Sequence, residues 1–222
     1  MGLNIRKGNM YKFVTHTWNT VKGECQHDCS YCYMKRFGEQ NPVRFDENEI
    51  KTVLGKAKFI FVGSSNDMFA FGIPEEWILR TLDHCAQFEN KYLFQTKNPR
   101  KFLEFISSPA INERTGLCTT IETNRWYPEI MGNSPKPLER ALAMIEVSKS
   151  IKTLVTIEPI MDFDLSELVE LIRMCNPVQV NIGADSGNNN LPEPTKEKVL
   201  ALIEELKLFT KVELKENIFR IL

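Results

Sequence analysis

The sequence predicts an α/β fold: a partial, open TIM-type barrel of about six or seven parallel β/α units. Three observations lead there. Short β-rich runs alternate with amphipathic helical stretches along the chain. Several of the runs are almost unbroken in hydrophobicity, as strands covered on both faces of a parallel sheet must be. The 222 residues also fall short of the roughly 250 that a complete eight-unit barrel takes, so the circle is expected to stay open. One domain over residues 1–222 is the expectation, because 42% hydrophobic residues fill one substantial core and no linker or low-complexity tract divides the chain.

Taken in order, YKFVTHT (residues 11–17) reads as the first strand and runs into a loop with three cysteines. KFIFV (58–62) is the second strand and 75–88 the amphipathic helix after it. YLFQ (92–95) is the third, followed by Asn98 as an N-cap, Pro99 at the first helical position and a helix over 100–106. LCTTI (117–121) is the fourth strand, and behind it TNRWYPEIMGNSPKP (123–137) is the longest irregular stretch, a length more often functional than idle. A helix over 138–147 precedes the strand TLVTI (153–157). Asp164 and Glu167 form a capping-box pattern that opens a helix over 165–174. VQVNI (178–182), a helix over 196–208 capped by Thr195, and KVEL (211–214) complete the series.

With 28 basic against 29 acidic residues, the chain has no global field to draw it onto a polyanion. Lys35 with Arg36 is a local basic patch, a pattern that is commonly a solvated helix face. No run is apolar enough to cross a bilayer and the N-terminal residues lack a signal-peptide core, so a cytoplasmic protein with no membrane partner is expected. The six cysteines do not form a disulfide pattern. Cys85, Cys118 and Cys175 sit singly in apolar stretches and are expected in the core.

In parallel β/α folds, ligands meet the carboxyl ends of the strands. Those ends are polar in nearly every unit here: Gly63, Ser64, Ser65, Asn66 and Asp67; Thr96 and Lys97; Glu122 and Arg125; Glu158; Gly183, Asp185, Ser186 and Gly187; Lys215, Glu216 and Asn217. Any one of them serves a turn or cap equally well. As a set they suggest a rim converging on a ligand.

Cys25, Cys29 and Cys32 lie within eight residues of one another. One reading is structural zinc, with His27 as fourth ligand, although zinc sites usually pair two separated knuckles. Another is unligated thiols. A third is an iron-sulfur cluster held by three cysteines, with its fourth iron free to bind something else.

The spacing of three residues then two, with Tyr31 in the aromatic place before the third cysteine, resembles the cluster motif of the radical S-adenosylmethionine superfamily. THTWN, VGSSNDMF, QTKNP, TTIETNR, TIEPIMDFD, IGADSG and LKEN further resemble a phage-associated branch of it, whose members are mostly of unassigned function. The resemblance implies a 4Fe-4S cluster on Cys25, Cys29 and Cys32, with S-adenosylmethionine (S-adenosyl-L-methionine) on the open iron. An external reductant, flavodoxin-like or ferredoxin-like, would supply one electron, and the resulting 5′-deoxyadenosyl radical would abstract hydrogen from substrate.

It also implies roles for residues. Gly63, Ser64, Ser65 and either Asn66 or Asp67 would meet the methionine amine, and Thr120 and Glu122 the ribose or methionine carboxylate. Gly183 and Gly187 would let backbone approach adenine. Lys97, Arg125 and Glu158 would face substrate, with ion pairing among themselves as the competing role. Trp18 is expected as a packed aromatic, with His16 and Asn19 lining the floor of the loop. The substrate implied by the phage branch is DNA or a modified nucleobase; a radical enzyme for a small molecule or peptide, and a non-catalytic zinc or iron-sulfur module, are the alternatives.

Overall fold

Seven strands run parallel in one sheet whose two ends do not meet, and an eighth lies antiparallel against the first of them. The structure, a computed structural model, describes residues 2–222. In chain order the strands are β1 (Asn4–Ile5), β2 (His16–Trp18), β3 (Val21–Lys22), β4 (Arg44–Phe45), β5 (Phe59–Val62), β6 (Lys91–Thr96), β7 (Thr115–Thr120), β8 (Thr153–Ile157), β9 (Pro177–Ile182) and β10 (Lys211–Leu214). The helices are α1 (Glu75–Ala86), α2 (Phe102–Phe105), α3 (Pro128–Met131), α4 (Pro137–Ser148), α5 (Leu165–Met174) and α6 (Lys196–Lys207). The large sheet runs β1-β2-β5-β6-β7-β8-β9-β10, while β3 and β4 pair separately. This is the open partial barrel that the alternation of elements predicts. No helix among the described residues is long and apolar enough to cross a membrane.

Alternation along each strand separates two cores. Ile60, Val62, Tyr92, Phe94, Leu117, Val155, Ile157, Val180 and Ile182 face the helices and join the main core. Their neighbours Phe61, Leu93, Cys118 and Leu154 face the concave side, where Tyr11 and Val14 pack on them. The helices answer with stripes such as Val199, Leu202, Ile203 and Leu206 of α6. Each fully buried side chain of this size contributes roughly 1.5–3 kcal/mol.

The first strand is shorter than expected. Residues 11–14 form a turn, closed by Val14 N–H on the Tyr11 carbonyl at 3.1 Å, and only His16–Trp18 pairs with β5. Their β-rich composition reflects burial against the concave core. His16 pairs with Ile5 and Ile60 at the start of β2, its Nδ1 2.8 Å from Thr15 Oγ1, so it stands at the end of the strand away from the cysteine loop. Trp18 is fully buried in the main core.

Two expected caps are used otherwise. The Asn98 side chain donates to the Phe69 carbonyl at 3.0 Å, and Asp164 and Glu167 accept from Arg125 and Asn124 in place of backbone N–H groups. A guanidinium offering charge and two-point geometry outcompetes a neutral amide for a carboxylate. Thr195 does cap α6, accepting from Lys198 N–H at 3.4 Å. The stretch 123–137 contains α3, so it is not wholly irregular.

Candidate functional site

The three cysteines follow β2 and the short β3, and the β3–β4 ribbon ties the base of their loop. Lys22 Nζ anchors that ribbon, donating to Asp46 at 2.8 Å and to Glu49 at 2.6 Å. All three thiols are free, Cys29 buried and the other two half-buried. Burial, with the Asp67 carboxylate adding to it, pushes the Cys25 thiol up to about 11. Among the described residues, no three His, Cys, Asp or Glu side chains gather as ligands of a single metal ion.

The segment after β7 holds the cysteine loop. Ser30 N–H donates to the Ile130 carbonyl at 2.9 Å, Asn133 N–H to the His27 carbonyl at 2.8 Å, and Cys29 Sγ lies 3.4 Å from the Met131 carbonyl. Gly132 makes this approach feasible. Its φ is +58°, and a Cβ there would press into the His27 carbonyl and stand 2.9 Å from that of Asp28.

A second anchor is Asp67. Its Oδ2 takes His27 Nε2, Thr96 Oγ1 and Lys97 N–H, each at 2.8 Å, and its Oδ1 takes Phe69 N–H at 3.0 Å. Burial works to raise this carboxyl, but His27 and the donors outweigh it and hold it below the usual range. Neighbouring Asn66 donates to the carbonyls of Gly23 at 2.9 Å and Glu24 at 3.1 Å, just before Cys25. Its Oδ1 is buried with no partner. Gly63 begins this turn with φ +80°, its N–H on the Trp18 carbonyl. Ser64 Oγ and Ser65 N–H both reach Asn19 Oδ1, at 3.3 and 2.9 Å.

Beside the loop, Glu122 is fully buried among donors. Tyr31 OH and Arg140 Nη1 both donate to it, the latter at 2.7 Å, and Lys97 Nζ stands 3.6 Å away and 5.0 Å from the Tyr31 ring centre. Burial favours its neutral form; the Arg140 guanidinium and Lys97 ammonium override that and keep its carboxyl below the usual range. Lys97 is likewise opposed by burial, yet Cys29 and Glu122 hold it above an ordinary lysine. Thr120 Oγ1 accepts from Gln95 at 3.1 Å and its carbonyl from Arg140 at 2.9 Å.

Glu158 belongs to a separate group at the ends of β8, β9 and β10. It accepts from Asn9 at 2.8 Å and Asn217 at 3.0 Å and pairs with Lys215. Gly183 gives it room: a Cβ there would lie 2.8 Å from the Glu158 carboxyl carbon. Arg125 joins neither group, being held on the outer rim by Asp162 at 2.5 Å and Asp164 at 2.8 Å.

Thus Cys25, Cys29, Cys32, Tyr31, Asn66, Asp67, Lys97 and Glu122 form one neighbourhood, Glu158 and Gly183 another, and Arg125 stands apart. Sequence reasoning overlooked Arg140, Gly132 and Asn9. A signal existed for Arg140, a charge on the stripe of Met144 and Val147 in α4.

No protein-family model and no curated protein matches the sequence. Solved structures do. A spore photoproduct lyase variant with bound AdoMet and dinucleoside spore photoproduct superposes with a TM-score of 0.63 at 14% identity, over 93% of this chain and 65% of that one. Methylornithine synthase gives 0.55 at 12% identity, over 88% and 63%, and SuiB of Streptococcus suis bound to S-adenosylmethionine gives 0.53 at 11%, over 89% and 49%. The chain therefore spans less than two thirds of the length of these neighbours. Likeness at such identity concerns architecture, and by architecture the chain shares its open partial-barrel fold with these enzymes.

Proposed function

We propose that the chain is a radical S-adenosylmethionine enzyme, acting as one domain, in which Cys25, Cys29 and Cys32 hold a 4Fe-4S cluster and S-adenosylmethionine completes the open iron. One observation carries the reading: three free thiols share a loop after the first parallel strand of an open barrel, two of them, Cys25 and Cys29, within electrostatic reach of Lys97. The donor set suits the group. Soft thiolates select iron-sulfur centres.

When bound, the group supplies reductive cleavage of S-adenosylmethionine to a 5′-deoxyadenosyl radical that takes a hydrogen atom from substrate. The protein supplies placement and charge. Lys97 offsets the negative charge of the Cys25 and Cys29 cysteinates, and Glu122, itself neutralised by Arg140, fixes the Tyr31 hydroxyl. Asp67 has its oxygens committed to the frame, whereas Asn66 keeps a buried acceptor free, so Asn66 suits the methionine amine better. Ser64, Ser65 and Gly63 shape that turn, and Thr120 borders the nucleoside side. Glu158, with Lys215, faces the substrate from the opposite wall, with Gly183 providing its clearance; Arg125 remains a rim residue. A flavodoxin-like or ferredoxin-like protein would deliver the electron.

We favour DNA or a nucleotide as substrate. Motif resemblance to the phage branch supports it, as does the nucleoside-bound lyase among the structural neighbours. Anaerobic reconstitution tests the core reading: about four irons per chain are expected, and 5′-deoxyadenosine on adding reductant and S-adenosylmethionine. Stoichiometric zinc without that product would sink it.

A further inference from the structure

The open side of the barrel holds a cavity of about 310 Å3 between the arm at residues 9–13 and the edge formed by β9 and β10. In β9, Val180 and Ile182 belong to the helix-side core, so Gln179 and Asn181 turn toward the concave side, and both line the cavity. Gln179 Nε2 donates to Asn181 Oδ1 at 2.8 Å. Among the described residues that is the one hydrogen bond the Gln179 side chain makes, which leaves its Oε1 free. Asn181 is only 2% exposed, and its Nδ2 has no partner.

A buried amide donor without an acceptor is rare in folded proteins and points to something that fills the gap. Here a free donor and a free acceptor share one wall. Their complement is a carbonyl beside an N–H, the edge of a ring lactam, of which a cyclic imide is one form. Charge on the wall cancels: Lys211 pairs with Glu213 at 2.7 Å, Lys215 with Glu158, and the exposed Lys12 is matched by the exposed Glu216. A neutral ligand fits best.

We propose that this cavity binds the lactam edge of a neutral planar ring, a class that includes the pyrimidinediones, Asn181 donating to a ring carbonyl and Gln179 accepting from the ring N–H. Its wall continues into the candidate site. Lys215 lines the cavity and pairs with Glu158, while Tyr11 lines it and donates at 2.7 Å to Gln95, which reaches Thr120 at 3.1 Å. As the place of the substrate ring it rests on the radical-enzyme reading; as a binding site it does not.

The test is calorimetry on the reconstituted full chain with uridine and with 3-methyluridine, whose ring lacks the N–H. Uridine should bind, 3-methyluridine should bind about tenfold more weakly, and Asn181→Leu, which removes the donor at near-constant shape, should lose at least as much for uridine. Gln179→Ala, at a half-exposed position, serves as a second variant should Asn181→Leu fail to fold. Equal affinity for the two nucleosides, or binding of neither because only water fills the cavity, overturns the site. Formation of 5′-deoxyadenosine without uridine binding overturns the site alone, and uridine binding without that product overturns the radical reading alone.

Discussion

Replacing Gly132 by alanine isolates the contribution of the segment after β7 to the cysteine loop. The residue has φ +58° and ψ −135°, a conformation nearly confined to glycine, so an alanine there costs about 1–3 kcal/mol before any contact is counted. Its Cβ would also press into the His27 carbonyl and come 2.9 Å from the Asp28 oxygen and 3.0 Å from its carbonyl carbon, against an ordinary carbon–oxygen contact of roughly 3.3 Å. These are backbone atoms that no rotamer change can move.

Relief comes most cheaply by lifting the cysteine loop away. That gives up two backbone hydrogen bonds, Ser30 to Ile130 and Asn133 to His27, at about 1 kcal/mol each, and the Cys29 contact with Met131. Those bonds are lost on lifting in wild type as well, so they cancel in the comparison; the strain that lifting relieves in the alanine variant, about 2 kcal/mol, is a population shift on the order of thirtyfold. Iron bound per chain during anaerobic reconstitution at limiting iron should therefore fall well below wild type, with little change in the urea midpoint of the barrel. Gly8→Ala is the control, since Gly8 also has positive φ but nothing within 4 Å of the added carbon. Wild-type iron loading in Gly132→Ala would refute the cradle.

Arg140→Met should destabilise the protein by about 3–5 kcal/mol in urea unfolding, because it strands the fully buried Glu122 with Lys97 as its remaining cation. Adding Glu122→Gln should recover part of that loss. Asp67→Asn should lower both thermal midpoint and iron loading, since an amide nitrogen cannot accept from His27, Thr96 and Lys97 N–H together. Asp164, held down to about 2 by hydrogen bonds from Arg125 and Asn124, should titrate there by NMR and move up toward the usual carboxylate range in Arg125→Ala. Because its pKa is depressed on folding, the Asp164 contribution to stability is present above the ordinary carboxylate pKa and fades as pH falls toward 2.

Legibility followed the range of the interactions. KFIFV declared itself a strand because burial on both faces is written into consecutive residues. YKFVTHT carried the same composition and folded mostly as a turn, since Tyr11 and Val14 are buried against the concave core without being extended. The two-residue strands β1, β3 and β4 are too short to hold any period. In the site, the cysteine spacing is local and was readable. The bond from His27 to Asp67 spans 40 positions and the contact of Cys29 with Met131 spans 102, and no local pattern encodes either. Asp164 shows the same limit from the other side, a capping residue by pattern whose carboxylate is taken by a guanidinium 39 positions away.

The strand-end carboxylates, the most conspicuous groups in the sequence, prove to be mostly frame. Glu122 is filled by Tyr31, Arg140 and Lys97, Asp67 by His27, Thr96 and two backbone N–H groups, and Glu158 by Lys215, Asn9 and Asn217. A carboxylate attached to a buried strand has to be neutralised where it stands, since desolvation of an unpaired charge would cost more than any ligand arriving later could return. Uncommitted capacity is therefore expected on neutral groups, whose burial is tolerable while a partner is awaited. Of five buried side-chain polar atoms without partners among the described residues, three belong to Asn66, Asn181 and Asn217, beside the cysteine loop, in the cavity wall and just past β10. Among the described residues, unsatisfied polar capacity sits more on amides than on acids.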